Sequence, residues 1–232
     1  MIALTRMRLA GFARGGRATA PLITVLAVLF VLYGGGPSSA SVAYGYSAVC
    51  LFPILAWLTK LVLDTEPDAQ RRLARLAVGP VREATAGLLA AAALALGVCV
   101  LAMLAPLPFR AITGPDPGSS EPSLAMGVLL GVLAHVLSVA AAVSLGALAA
   151  RAVTRRILPG VGILVSGSIL TVVMGLSGSI APWVAPPLMA TSRALSGRTA
   201  PSAVDLTVLV AWTALWCTAV LALYARLRRD RS

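Results

Sequence analysis

The 232-residue chain is 59% apolar and only 12% charged, with a mean hydropathy of +0.92, far above the roughly 45–50% apolar usage of soluble domains. That composition excludes an ordinary soluble enzyme or binding domain and points to an integral membrane protein. The formal net charge of +11 does not imply nucleic acid as a partner, because the basic residues lie between the apolar runs, where topology and attraction to anionic lipid account for them.

Met1 to Ala18 forms a basic segment, with Arg6, Arg8, Arg14 and Arg17 set among Ile2, Leu4, Met7, Leu9 and Phe12. It reads as an interfacial helix ahead of the first span, although its apolar residues do not separate cleanly from Arg6. A rival reading takes Met1 to Ala43 as a signal peptide, with a basic start, an apolar core and small residues at its end.

Six apolar runs follow, at Thr19–Gly36, Ser41–Leu63, Ala84–Leu104, Leu124–Ala150, Gly160–Ile180 and Val204–Tyr224. A bilayer core takes about 17–25 helical residues to cross. The expected architecture is therefore all-α, a six-helix membrane domain over residues 19–226 with a basic tail at 227–232. The first run is the weakest, since its uninterrupted apolar part, Pro21 to Tyr33, ends at Gly34-Gly35-Gly36-Pro37.

Between spans two and three, Asp64 to Glu83 is polar and contains a short amphipathic helix, expected over Ala69 to Val78. Ala69, Leu73, Leu76 and Ala77 share one face, and Arg71, Arg72 and Arg75 crowd the other. Pro67 suits the first turn, and Gly79-Pro80 stops the helix. About ten helical residues are marginal alone in water, so this helix is expected to dock on something.

The connection Ala105 to Ser123, with Pro106, Pro108, Pro115, Pro117 and Pro122, is expected to be irregular. In span four, Gly127 and Gly131 form a GxxxG pair that suits close helix packing, and Arg151 to Pro159 is a brief basic turn. In span five, Ser166 and Ser168 recur eleven residues later as Ser177 and Ser179. That spacing returns a straight helix to nearly one face, which is read first as close packing and second as a substrate path or subunit seam. Residues 181–201, with Pro182, Trp183, Pro186 and Pro187, suggest a short re-entrant or interfacial helix over Leu188 to Leu195 on the outer side.

Orientation follows from the basic residues. With the amino terminus cytoplasmic, sixteen lie inside, and Arg110, Arg193 and Arg198 lie outside, which places both termini in the cytoplasm. Only Lys60 among the 19 basic residues is lysine, a usage that suits a high-GC bacterial genome and hence a bacterial plasma membrane. Cys50, Cys99 and Cys217 each fall inside a span and are read as small buried hydrophobes.

Chemistry is scarce. A phosphate-binding G-x-x-x-x-G-K-[ST] loop cannot occur, because Lys60 is flanked by Thr59 and Leu61. No H-E-x-x-H, C-x-x-C or G-x-S-x-G pattern is present, so the chain is read as no enzyme, without cofactor or metal. His135 is the one ionisable side chain, cysteines aside, within the span cores. Lacking a carboxylate or a second histidine there, it is read as an interhelical hydrogen-bonding residue, with a substrate-path role as the alternative.

Glu66-Pro67, Arg71-Arg72-Leu73, Leu76, Gly79-Pro80-Val81-Arg82-Glu83 and Gly87-Leu88-Leu89, followed later by Pro186-Pro187 through Leu195, resemble the type-2 ABC exporter permease family. The resemblance covers most of the chain, although the family's frequent Arg-Gly-Thr in this segment is missing. It implies a permease subunit that pairs with a second copy and with separate ATP-binding cassette subunits, and moves an amphiphilic or apolar substrate. In it, Ala69 to Val78 would be the coupling helix, with Leu73 and Leu76 seated in an ATPase groove and Arg71, Arg72 and Arg75 steering the contact. The alternative is a non-transporting membrane scaffold, immunity or assembly protein.

Overall fold

The computed structural model describes residues 1–115, 120–197 and 199–229. Pro117, Arg198 and Arg231, counted above, lie outside the described residues. Among the described residues the fold is all-α except for one two-residue strand pair. Five helices among the described residues are long and apolar enough to cross a membrane: α3 (Ala40–Leu63), α5 (Pro80–Leu104), α7 (Leu124–Leu148), α9 (Ile157–Met174) and α11 (Ala203–Arg229).

The expected first span is not a full-length straight helix. Helix α1 (Ile2–Arg14) and helix α2 (Thr19–Tyr33) meet at an angle of 79°, and only as a bent pair do they make a sixth candidate span. At about 1.5 Å per residue, the 15 residues of α2 fall short of a core about 30 Å thick. Its packed side is built from Val25, Leu29 and Tyr33, all buried.

Helices α3 and α7 form the centre. Their apolar stretches are 61% and 67% buried, whereas those of α9 and α11 are 11% buried. Small residues bring the central pair together, as the GxxxG reading expected. A Cβ on Gly131 would lie 2.6 Å from Tyr44 Cβ, and one on Gly146 would lie 2.5 Å from the Ala56 carbonyl oxygen. No side chain fits at those distances, so glycine sets how closely the two backbones approach. Leu51, Leu55, Ala56, Ala141 and Ala142 fill the surrounding core.

At one end of the bundle, β1 (Ser38–Ser39) pairs in parallel with β2 (Ile112–Thr113), which follows the short helix α6 (Pro106–Phe109). Part of the connection expected to be irregular is thus tied down. Beyond span five, a 3-10 turn at Pro182–Val184 leads to α10 (Leu188–Leu195), the helix expected there. It packs Leu188 and Leu195 inward against the central pair. Among the cysteines, Cys99 and Cys217 are buried as expected, but Cys50 is exposed on α3. The remaining elements, α4 (Asp68–Val78) and α8 (Arg151–Thr154), gather at the other end.

Candidate functional site at the basic end of the bundle

Helix α4 begins after Pro67, carries Asp68 in its first turn where a negative charge suits the helix dipole, and stops at Gly79. Gly79 adopts φ +85°, a backbone region that a side chain disfavours, and Pro80 opens α5 directly behind it. The helix presents Leu73 and Leu76 outward, 66% and 85% exposed. Beside them a groove of about 560 Å³ runs between α4 and α1, lined by Leu4, Met7, Gly11, Leu73, Ala77 and Val78 among others.

The arginine face differs from its expected role. Arg71 and Arg75 do not stand out toward a partner. Arg71 is buried and donates to the carbonyls of Leu63 (3.1 Å) and Glu66 (3.4 Å), and Arg75 reaches Glu83 at 3.4 Å. Of the three, only Arg72 is exposed. The physical reason is that the last carbonyls of α3 lack helical partners and attract cations. Burial holds the Arg71 guanidinium below its ordinary pKa, opposed by the nearby carboxylates of Asp68 and Asp64.

Behind α4 lies a buried ion-pair network. Arg8 of α1 forms a two-point pair with Glu66, Nε to Oε1 at 2.8 Å and Nη2 to Oε2 at 2.5 Å. The same Nη2 reaches Glu83 Oε1 at 2.6 Å, and Nη1 donates to the Glu83 carbonyl at 3.0 Å. Arg228 of α11 pairs with the other Glu83 oxygen, donates to the Tyr224 hydroxyl at 3.0 Å, and lies over that ring, 5.8 Å from its centroid. Glu83 thus receives Arg8, Arg75 and Arg228 from three helices. A neighbouring group joins Lys60 to Asp64 at 2.5 Å, while the Arg151 backbone N–H and guanidinium both donate to Asp64, at 2.7 and 2.8 Å.

Sequence reasoning assigned no role to Arg8, Asp64, Glu66, Glu83 or Arg228. One signal was available: four of the eight acidic residues, Asp64, Glu66, Asp68 and Glu83, fall within residues 64–83. The tail reading also changes, since α11 continues to Arg229 and inserts Arg228 into the network.

The other candidates do not converge on this end. His135 is 2% exposed, its Nδ1 2.8 Å from the Gly131 carbonyl and its Nε2 3.3 Å from Ser47 Oγ on α3. It makes the interhelical contact expected. The four serines of span five do not share a helix face, because α9 ends at Met174 and leaves Ser177 and Ser179 beyond it. Ser166 and Ser168 donate to carbonyls of their own helix, those of Gly162 and Leu164, each at 2.7 Å. A hydroxyl satisfied within its own turn has no need of a neighbour, and Ser166 faces outward. Among the described residues, no group of three or more histidine, cysteine or acidic side chains could hold a metal ion.

No family model, curated protein or solved structure matches the chain.

Proposed function

We propose that the chain is the membrane-spanning permease subunit of an ABC-type exporter, moving an amphiphilic or apolar substrate with ATP hydrolysed by a separate subunit. The observation that carries this reading is the division of labour on α4. Its apolar side, Leu73 and Leu76, is open to a partner, and its polar side is braced through Arg75 and Glu83 to α5, α1 and α11.

A helix built this way suits mechanical coupling. A partner's push on Leu73 and Leu76 would pass through a stiff ionic joint into three helices instead of bending a loose loop. Arg72 is the cation left to meet the ATPase, while Arg71 and Arg75 hold the coupling helix in place. In this reading the basic end faces the cytoplasm, in accord with the bias of basic residues toward that side. The sparsely buried helices α9 and α11 offer apolar surface to a second permease copy or to lipid.

The test is co-purification. Leu73→Glu together with Leu76→Glu should abolish capture of an ATP-binding cassette subunit from the native membrane while leaving insertion intact. Capture at the unaltered level would refute the docking assignment. The same exposed apolar face also suits the second reading, a non-transporting scaffold or immunity protein. Reconstituted vesicles separate the two, since only the permease confers ATP-dependent movement of an apolar dye.

A further inference from the structure

Between α4 and the α8 turn lies a cavity of about 220 Å³ lined by Arg71, Arg72 and Arg75 on one side and Arg151 and Arg155 on the other, with Asp68 as the one carboxylate of the lining. Five guanidinium groups and one carboxylate line a space that would hold a small anion. Carboxylates outside the lining offset part of the guanidinium charge, Glu83 at Arg75 and Asp64 at Arg151, and leave Arg72 and Arg155 without a counter-ion among the described residues. Asp68 lies 3.7 Å from Arg71, Arg75 turns toward Glu83, and Arg151 stands 3.9 Å from Asp64 with its buried Nε lacking a hydrogen-bond partner. The side chains of Arg72 and Arg155 have no hydrogen bond or ion pair among the described residues.

Position at the helix ends and the forked donors indicate what belongs there. Arg155 lines the cavity from a left-handed backbone at φ 58°, a conformation uncommon for a residue with a Cβ. The cavity also sits at the ends of the two central helices, since Arg71 caps the Leu63 carbonyl and Arg151 follows α7 and caps the Asp64 carbonyl. In a bilayer that is the level of the headgroup phosphates, just beyond the hydrocarbon core. Paired guanidinium forks match phosphate oxygens in a way that point charges do not.

We propose that this cavity binds a phosphate-bearing anion, gripped by Arg72 and Arg155 and backed by Arg71, Arg75 and Arg151. A phospholipid headgroup and a soluble phosphate share this chemistry. Arg72 is also the cation set against the ATPase above, so Arg155→Gln alone, which lies off α4, tells loss of the anion site from loss of that contact.

The full chain is placed in nanodiscs of phosphatidylcholine, with or without phosphatidylglycerol, and retained lipid is counted by native mass spectrometry after release from the disc. Inorganic phosphate is titrated calorimetrically into the phosphatidylcholine discs. Arg72→Gln with Arg155→Gln is compared with Arg82→Gln with Arg156→Gln, a control pair that removes equal charge from exposed positions outside the cavity. All four are exposed, so folding should be unaffected. The expected result is retained phosphatidylglycerol that falls about fivefold for each cavity arginine removed, with the control pair unchanged. If inorganic phosphate binds instead, with the same dependence on Arg72 and Arg155, the site holds and its ligand is soluble. Binding of neither probe, equal loss in the control pair, or a cavity pair that loses only an acidic protein partner would overturn the proposal.

Discussion

Arg8 and Glu83 are 75 residues apart in the chain, yet Arg8 Nη2 lies 2.6 Å from Glu83 Oε1 with both side chains buried. This contact anchors the amino-terminal helix to the foot of α5, and Arg228 closes on the same carboxylate from the last helix. Taking such charges out of water is costly, and the attraction between them compensates only while every partner stays in place.

Glu83→Gln should therefore be the most damaging single change at this end, because it leaves Arg8, Arg75 and Arg228 facing one another with less counter-charge. A loss of about 3–5 kcal/mol is expected, seen as a large drop in the melting midpoint of the protein in detergent. Glu66→Gln should cost less, since Arg8 keeps Glu83. Equal midpoints for the two variants would contradict the central place given to Glu83.

Leu73→Glu and Leu76→Glu should each change stability by no more than about 0.5 kcal/mol, as expected for exposed positions. Arg71→Glu should cost about 1–3 kcal/mol, because it removes a buried donor from two carbonyls and sets a carboxylate against them. Thermal melts of the three variants would check the order. A leucine variant that melts as early as the Arg71 variant would mean that α4 docks through its apolar face within this chain.

Glycine substitutions separate packing from propensity. Gly131→Ala forces a methyl group to 2.6 Å from Tyr44 and should destabilise by about 1–3 kcal/mol. Gly162→Ala has open space around it and should be neutral or stabilising by up to about 1 kcal/mol. Opposite signs in paired melting curves are the expected outcome.

His135→Asn should leave stability, and the pH profile of any transport, nearly unaltered, because the amide can keep the shorter contact, that to the Gly131 carbonyl. His135→Leu should cost about 1 kcal/mol from the lost hydrogen bonds. The Ser47 hydroxyl keeps the Tyr44 carbonyl at 3.1 Å, which limits that loss. A pH-dependent transport defect in the Asn variant would instead give His135 a proton-handling role.

Orientation can be read by labelling. In a background without native cysteines, Arg72→Cys and Arg155→Cys should react with an impermeant maleimide only from the cytoplasmic side, and Glu121→Cys only from outside. Labelling of the two arginine positions from outside would invert the topology and remove the proposed ATPase contact.

Much of the helical layout was legible in the residues. Pro67 and Gly79-Pro80 bracket α4 so firmly that the expected span, Ala69 to Val78, differs from the observed Asp68–Val78 by one residue. Uninterrupted hydropathy likewise located α3, α5 and α7 to within a few residues. Hydropathy read less well where glycine and serine punctuate the chain. Leu176 to Ile180 is apolar enough to extend span five, yet the helix stops at Met174, and the supposed serine face stops with it. The 79° bend between α1 and α2 was equally hidden, because composition reports how apolar a run is but not the angle at which it leaves the previous one.

By itself the sequence determined that the chain is a set of apolar helices with its charge segregated into the connections, since a hydrocarbon solvent excludes charge and backbone hydrogen bonding demands helix. Tertiary structure alone decided which charges pair. Arg8, Glu66, Glu83 and Arg228 meet across separations of 58, 75 and 145 residues, and Arg71 turns inward toward the ends of α3 while Leu73 and Leu76 turn out. Helical periodicity is a local property that neighbouring residues carry between them, whereas the partner of a buried charge depends on which helix ends the folded bundle brings together.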